Sequence, residues 1–235
     1  MRDAIPQRVA GIAGIIFIVA AAIAAFAIAP SGMPKVNASP GRWAEFVGDH
    51  RSRLQVSNYV FGISFVALLF FSSALSNFFA RREGPLRGPS TLIVVGGAST
   101  VAVAALGGTL GAVLAYRTAP GSDLSVVRTL VDAQTLAFTV IGFPAAVLLA
   151  GGGISTLRSG GLPRWLGWLA LLAAVLSLVG ASAQAATGTF GNDDVFSAIG
   201  FISFLALLVW VALSSILLVN SGFRGDVTAA PAAPA

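Results

Sequence analysis

The sequence predicts an all-α fold: one integral membrane bundle of six transmembrane helices, with the N-terminus and C-terminus both cytoplasmic. Three observations predict it. Hydrophobic residues make up 56% of the 235 residues and charged ones only 10%, against about 25% charged in ordinary soluble domains. The mean hydropathy is +0.88, more apolar surface than a water-soluble fold of this size could bury, so lipid must be part of the solvent. The 14 basic and nine acidic residues are confined to a few clusters, and six long charge-free runs lie between them.

The runs are 9–34, 54–80, 88–116, 133–157, 165–192 and 195–223. A helix crosses roughly 30 Å of hydrocarbon with about 20 apolar residues. Each run therefore spans once, with slack, and none spans twice. Transmembrane strands would need about ten residues of alternating character, and these runs are continuously apolar. A single domain over 1–223 follows, with a cytoplasmic tail, 224–235, whose "DVTAAPAAPA" composition predicts disorder. "RGD" at 224–226 is read as coincidence, because the predicted topology puts it in the cytoplasm.

The first run has a second reading. "AFAIAP" offers a small-residue cleavage pattern ending at Ala29, but the apolar stretch is longer than a signal peptide's usual core of about 7–15 residues. After it comes the longest loop, 31–53. Ser39 followed by Pro40 looks like a helix cap with proline at the first helical position, and Trp43, Phe46, Val47 and Leu54 recur at helical spacing. A short amphipathic helix on the outer interface is predicted, either shielding the loop or lying as a lid over a cavity.

Arginine sets the orientation. With the N-terminus inside, the inner face carries eight basic and three acidic residues and the outer face six of each. The short loops are clearer: "RREGPLR" and "RSGGLPR" are basic, while "GNDD" is acidic. The two basic loops look alike, which hints at duplicated helix pairs, although the same constraints produce such turns independently. Tyr59 and Tyr116 fall at outer ends, and Trp165 and Trp168 follow an inner loop, as belts of amphipathic rings do.

Within the spans, "GGTLGA" places Gly107 and Gly111 four apart, a spacing that lets helices approach closely. It is no phosphate loop, since neither a preceding strand nor a following lysine is present. Span four holds Pro144 and then glycines 151–153, which predicts a kink and a weakened inner end.

Few residue types are present for chemistry. The chain has no cysteine and one histidine, which removes thiolate metal sites, iron–sulfur clusters and thiol nucleophiles together. No metal, cofactor, catalytic group or nucleic-acid partner is expected, and His50 is assigned no role. Arg128 and Asp132 share a face at the rim of span four and read as a local ion pair; a charge at the bilayer centre would cost about 2.5–3.5 kcal/mol. A site is still conceivable at that boundary. Asn58, Tyr59, Tyr116, Arg117, Arg128, Asp132 and Gln134 should all lie there, and Gln184 and Asp193 could join. If these converge, they form a polar mouth on an apolar cavity, the usual make-up of a ligand pocket.

The passages "LRSGGLPRWLGWLALLAAVLSLVG" (157–180) and "VRTLVDAQTLAF" (127–138), with the basic loop before span three, resemble uncharacterised six-span bacterial inner-membrane proteins that carry a domain of unknown function. The resemblance covers about residues 5–220. It implies topology and no reaction, cofactor or catalytic residue. Arginine outnumbers lysine 13 to 1, as a GC-rich bacterial genome would give. The expected role is non-enzymatic: binding a lipid or hydrophobic small molecule, or serving as a subunit of a membrane assembly, with the bilayer and a hydrophobic ligand or membrane-protein partner as the contacts. A membrane enzyme using Asp132 with Arg128 or a tyrosine, and a small transporter with polar groups near the midplane, are the alternatives.

Overall fold

In the computed structural model, residues 4–83, 88–118, 122–182 and 195–227 are described. They form helices α1 (Ala4–Ala22), α2 (Pro40–Ala80), α3 (Gly88–Arg117), α4 (Leu124–Val140), α5 (Gly142–Ser159), α6 (Arg164–Ala181) and α7 (Val195–Val227). A π turn, Ile23–Ile28, continues α1, and α4 and α5 are two halves of one span. The result is six helices long and apolar enough to cross a membrane. α7 continues through residues 224–227, so "RGD" stands in its last turn; 228–235 lie outside the described residues.

Each span packs on its neighbour in the sequence, and the last packs on the first. α1 meets α2, α2 meets α3, α3 meets both α4 and α5, α5 meets α6, α6 meets α7, and α7 returns to α1. The bundle is thus a closed ring. Leu68, Phe71, Leu75, Leu148, Trp210 and Leu218 fill its core and are fully buried. α1 contributes Phe17 to the same core. Large apolar side chains also cover the outside: Phe26, Phe70, Leu106, Leu172 and Ile202 are all exposed. A monomer in water rarely shows such continuous apolar surface, whereas a lipid-facing surface is expected to. Trp165 and Trp168 are exposed as well, as rings at a membrane boundary would be.

The ring is tight where glycine lets backbones touch. A Cβ on Gly96 of α3 would stand 2.3 Å from the Leu148 nitrogen of α5, and one on Gly153 of α5 would stand 2.8 Å from the Gly167 carbonyl of α6. Without a hydrophobic force between helices in lipid, such close contact supplies much of the association.

Three local features position the rest. Ser39 caps α2, its hydroxyl accepting from the Arg42 amide at 3.4 Å. α2 is 41 residues long, about 60 Å of helix, twice what a bilayer needs. It bends at His50, the one residue inside it with non-helical dihedrals (φ −115, ψ 16). The ten residues before the bend belong to the loop, 31–53, in which Trp43, Phe46 and Val47 recur at helical spacing. Trp43, Phe46 and Val47 pack there with Leu114 of α3 and with Val127 and Val131 of α4 in a second, smaller core. The span α4–α5 breaks at Ile141. The proline at 144 has no N–H for the Val140 carbonyl and its ring crowds it, so the discontinuity falls just before the residue that causes it.

The π turn has its own partner. Its wide turn sends the Ala29 amide to the Ala24 carbonyl at 2.9 Å, and that carbonyl also accepts from the buried Ser57 hydroxyl at 3.0 Å.

Candidate functional site

A cavity of about 430 Å³ lies inside the ring. All six spans contribute to its wall. Phe17 comes from α1, Phe61 and Phe65 from α2, Thr100 from α3, Phe138 from α4 and Phe204 from α7, while α5 and α6 add small residues such as Ala145 and Gly180. The break between α4 and α5 borders it, because Ile141 and Gly142 are part of the wall.

The wall is apolar apart from hydroxyls, and these are mostly spent. Thr100 donates to Gly96, Thr135 to Val131, Thr139 to Thr135 and Ser177 to Ala173, each to the carbonyl one turn earlier, at 2.7–3.0 Å. Ser177 and Ser203 also share a hydrogen bond at 2.6 Å between α6 and α7. Among the described residues no ionisable side chain lines the wall. Chemically, the chamber can hold apolar matter and can give little more than weak polar contacts to it. Ser and Thr in mid-span were the available signal for this chamber, but hydroxyls satisfied by their own helix are equally common where nothing binds.

The predicted boundary residues separate into three groups. Arg128 and Asp132 form the ion pair, Nε donating to Oδ2 at 2.8 Å, with both side chains over a third exposed (36% and 38%). Arg128 also reaches across to the loop before α2: its Nη1 donates to the Val36 carbonyl at 2.9 Å and to the Ala38 carbonyl at 3.5 Å. Nearby, Trp43 donates to the Lys35 carbonyl at 3.1 Å, and Arg51 donates to the Thr118 carbonyl. These contacts latch residues 35–51 over the ends of α3 and α4. Arg128 gives this loop a polar tie to α4, beside the packing of Trp43, Phe46 and Val47 on Val127 and Val131.

Tyr59, Tyr116 and Arg117 face away from the ring; the two tyrosines are 72% and 67% exposed. Asn58 and Gln134 do come together. Both are half-buried, and their amide nitrogens lie 3.2 and 2.5 Å from the point where Gly111 would carry a Cβ. The pair "GGTLGA" thus serves another purpose than helix-on-helix contact. Gly107 receives the Phe138 ring at 3.2 Å and Gly111 receives the two amides. Gln184 and Asp193 lie outside the described residues.

His50 is tied locally. Its Nδ1 is 3.0 Å from the Phe46 carbonyl and its ring stacks on Phe46 with centroids 4.6 Å apart. At the opposite end of the bundle, Glu83 links two helices. It accepts from the Ser90 amide in the first turn of α3 at 3.2 Å and from the buried Ser155 hydroxyl of α5 at 2.5 Å. An acid at a helix N-terminus is favourable, and "REGPLR" gives that acid a structural task beyond its charge. Among the described residues no cluster of three or more metal-ligating side chains occurs.

A closed ring of six membrane-length helices around an apolar chamber defines a polytopic helical bundle of the membrane-spanning class. Within that class the chain belongs to the family described as DUF4386, a domain of unknown function, which matches residues 9–213. The match runs from residue 9 of α1 through α6 and into α7. No curated protein and no solved structure matches the chain.

Proposed function

We propose that this protein is a non-enzymatic, multi-pass protein of the bacterial inner membrane that holds a hydrophobic small molecule or a lipid chain in its central cavity. One observation carries the reading: a chamber of about 430 Å³, walled by every span and, among the described residues, by no ionisable group, within the roughly 300–1,000 Å³ of ligand pockets. The end that bears Arg128 faces outward and the end that bears Glu83 faces the cytoplasm, following the basic loops. The family match leaves the ligand open. An acid–base role for Asp132 has little support, because its carboxylate is held by Arg128 at the rim.

A small transporter is the second reading. What favours it is the interrupted span beside the cavity, since broken helices at mid-membrane are where transporters bind their cargo.

The test is mass spectrometry of lipids and proteins that co-purify in mild detergent. A retained hydrophobic species, displaced when Ala145→Leu intrudes on the chamber, supports the binding reading; a reproducible protein partner and no ligand would move the protein to an assembly role instead. Orientation is open to a clean assay, because the chain has no cysteine. A membrane-impermeant maleimide applied to intact cells should label Gly48→Cys and spare Ser159→Cys.

A further inference from the structure

Three helices carry the cavity wall toward the Arg128 end on continuous stripes. On α2, Phe61, Phe65 and Leu68 line the chamber, and Asn58 is the next residue on that face. On α4, Phe138 and Ile141 line it, and Gln134 heads their stripe one turn further on. On α3, Thr100 lines it, and Gly107 and Gly111 follow at helical spacing. The three stripes meet where the Asn58 and Gln134 amides converge over Gly111. The two carboxamides thus stand beyond the lining residues, on the same helix faces, at the Arg128 end of the chamber.

Neither amide has a hydrogen-bond partner among the described residues. Half-buried beside hydrocarbon, each forgoes water in part, and an amide without compensation is costly there. Each brings one carbonyl acceptor and two N–H donors. A group that both donates and accepts, seated between them, would satisfy both. Charge is disfavoured. Among the described residues no ionisable side chain lines the chamber; of the guanidiniums at this end, Arg128 is bonded to Asp132 and to the Val36 and Ala38 carbonyls, and Arg51 donates to the Thr118 carbonyl while its buried Nε has no partner among the described residues. Among the described residues that line the chamber, a buried ionic head would find no counter-ion.

We propose that the ligand is a single-chain amphiphile with an uncharged, hydrogen-bonding head, its chain in the chamber and its head between Asn58 and Gln134. This rests on the reading that the chamber binds a hydrophobic ligand. The chamber's volume suits one alkyl chain among the aromatic walls of Phe61, Phe65 and Phe138. The absence of a side chain at Gly111 keeps the two amide ends together: a methyl there would press on both.

The experiment uses the full chain in liposomes and three photoreactive probes that share one octadecenyl chain bearing a diazirine. One carries a glycerol monoester, one a carboxylate and one no head group. Labelled peptides are mapped by mass spectrometry, and the half-maximal concentration is read for each. The glycerol ester should label 61–68 or 201–207 at about tenfold lower concentration than the carboxylate. Asn58→Ala and Gln134→Ala should each raise the ester's half-maximal concentration about fivefold, the loss of one hydrogen bond. Gly111→Ala should raise it similarly with both amides still present. None of the three should change labelling by the headless probe, which also shows that the variants are folded. If the headless chain labels the chamber but the ester gains nothing over it, or the amide variants lose nothing, the head-group assignment fails and the chamber reading stands. If no probe labels the chamber, both fail.

Discussion

Gly152 of α5 faces Trp210 of α7 across the core, and the contact makes a sharp prediction. A Cβ at Gly152 would stand 2.5 Å from Trp210 Cζ2 and 2.6 Å from Cη2, closer than carbon atoms approach. The indole has no room to withdraw, being fully buried, with Phe71 edge-on at 6.1 Å between centroids. Overpacking of this kind costs about 1–3 kcal/mol, and two contacts against a rigid ring place Gly152→Ala toward the upper end. Alanine regains about 1 kcal/mol over glycine as a helix former, so the net loss should be about 1–2 kcal/mol. Gly108→Ala is the control. Nothing lies within 4 Å of its Cβ position, so only the propensity gain of up to about 1 kcal/mol remains. The measurement is equilibrium unfolding in mixed micelles of rising dodecyl sulfate content, followed by tryptophan emission. Trp210→Phe in the Gly152→Ala background should recover part of the loss, with a coupling of about 1 kcal/mol or more in the double-mutant cycle. If Gly152→Ala matches the parent, or the cycle shows no coupling, the indole does not fill the glycine notch and the core packing described here is wrong.

Three further outcomes are expected. Arg128→Ala should free residues 35–39 to hydrogen exchange and proteolysis and cost about 1 kcal/mol, the exposed ion pair being small and the carbonyl bonds the larger part; Arg128→Lys should restore only some protection, since one ammonium cannot span the carboxylate and the carbonyls. Glu83→Ala leaves the Ser155 hydroxyl and the Ser90 amide without their acceptor and should cost about 1–3 kcal/mol in the same unfolding assay, with Glu83→Gln losing less. Asp123 caps α4, and hydrogen bonds from the Ser125 hydroxyl and then the Ser125 amide hold its carboxyl below the usual value of 3.8. Its folded pKa lies below the unfolded one, so its small contribution is full above the unfolded value and is lost as pH falls through the folded one; a thermal midpoint measured from pH 6 to pH 3 should fall less steeply in Asp123→Asn than in the parent.

Much of this molecule was legible locally. The run lengths set the number of spans because hydrocarbon thickness is a fixed ruler. Ser39–Pro40 marked the start of α2, and Pro144 the break. Arg128 and Asp132 were recognisable as partners because four residues along a helix is contact distance. The candidate mouth was legible only in part. Seven residues share a depth, and depth is what charge and polarity report. Tyr59 and Tyr116 turn outward while Asn58 and Gln134 turn toward Gly111, a distinction of helix rotation. Rotation is poorly written in this sequence. In lipid an apolar side chain suits the outside of a bundle as well as the inside, so the periodic signal that fixes a helix's inner face in water is largely missing.

The sequence by itself determined the all-helical class, the six crossings and where the charges must stay, because each depends on the transfer of a contiguous segment into hydrocarbon. Only the tertiary structure decided that the spans close into a ring, that a chamber borders the break at Ile141, that Arg128 latches a loop some 90 residues away, and that Trp210 fills the notch at Gly152. Those outcomes depend on which faces of different helices meet, and that is settled by close packing and a few hydrogen bonds between distant residues.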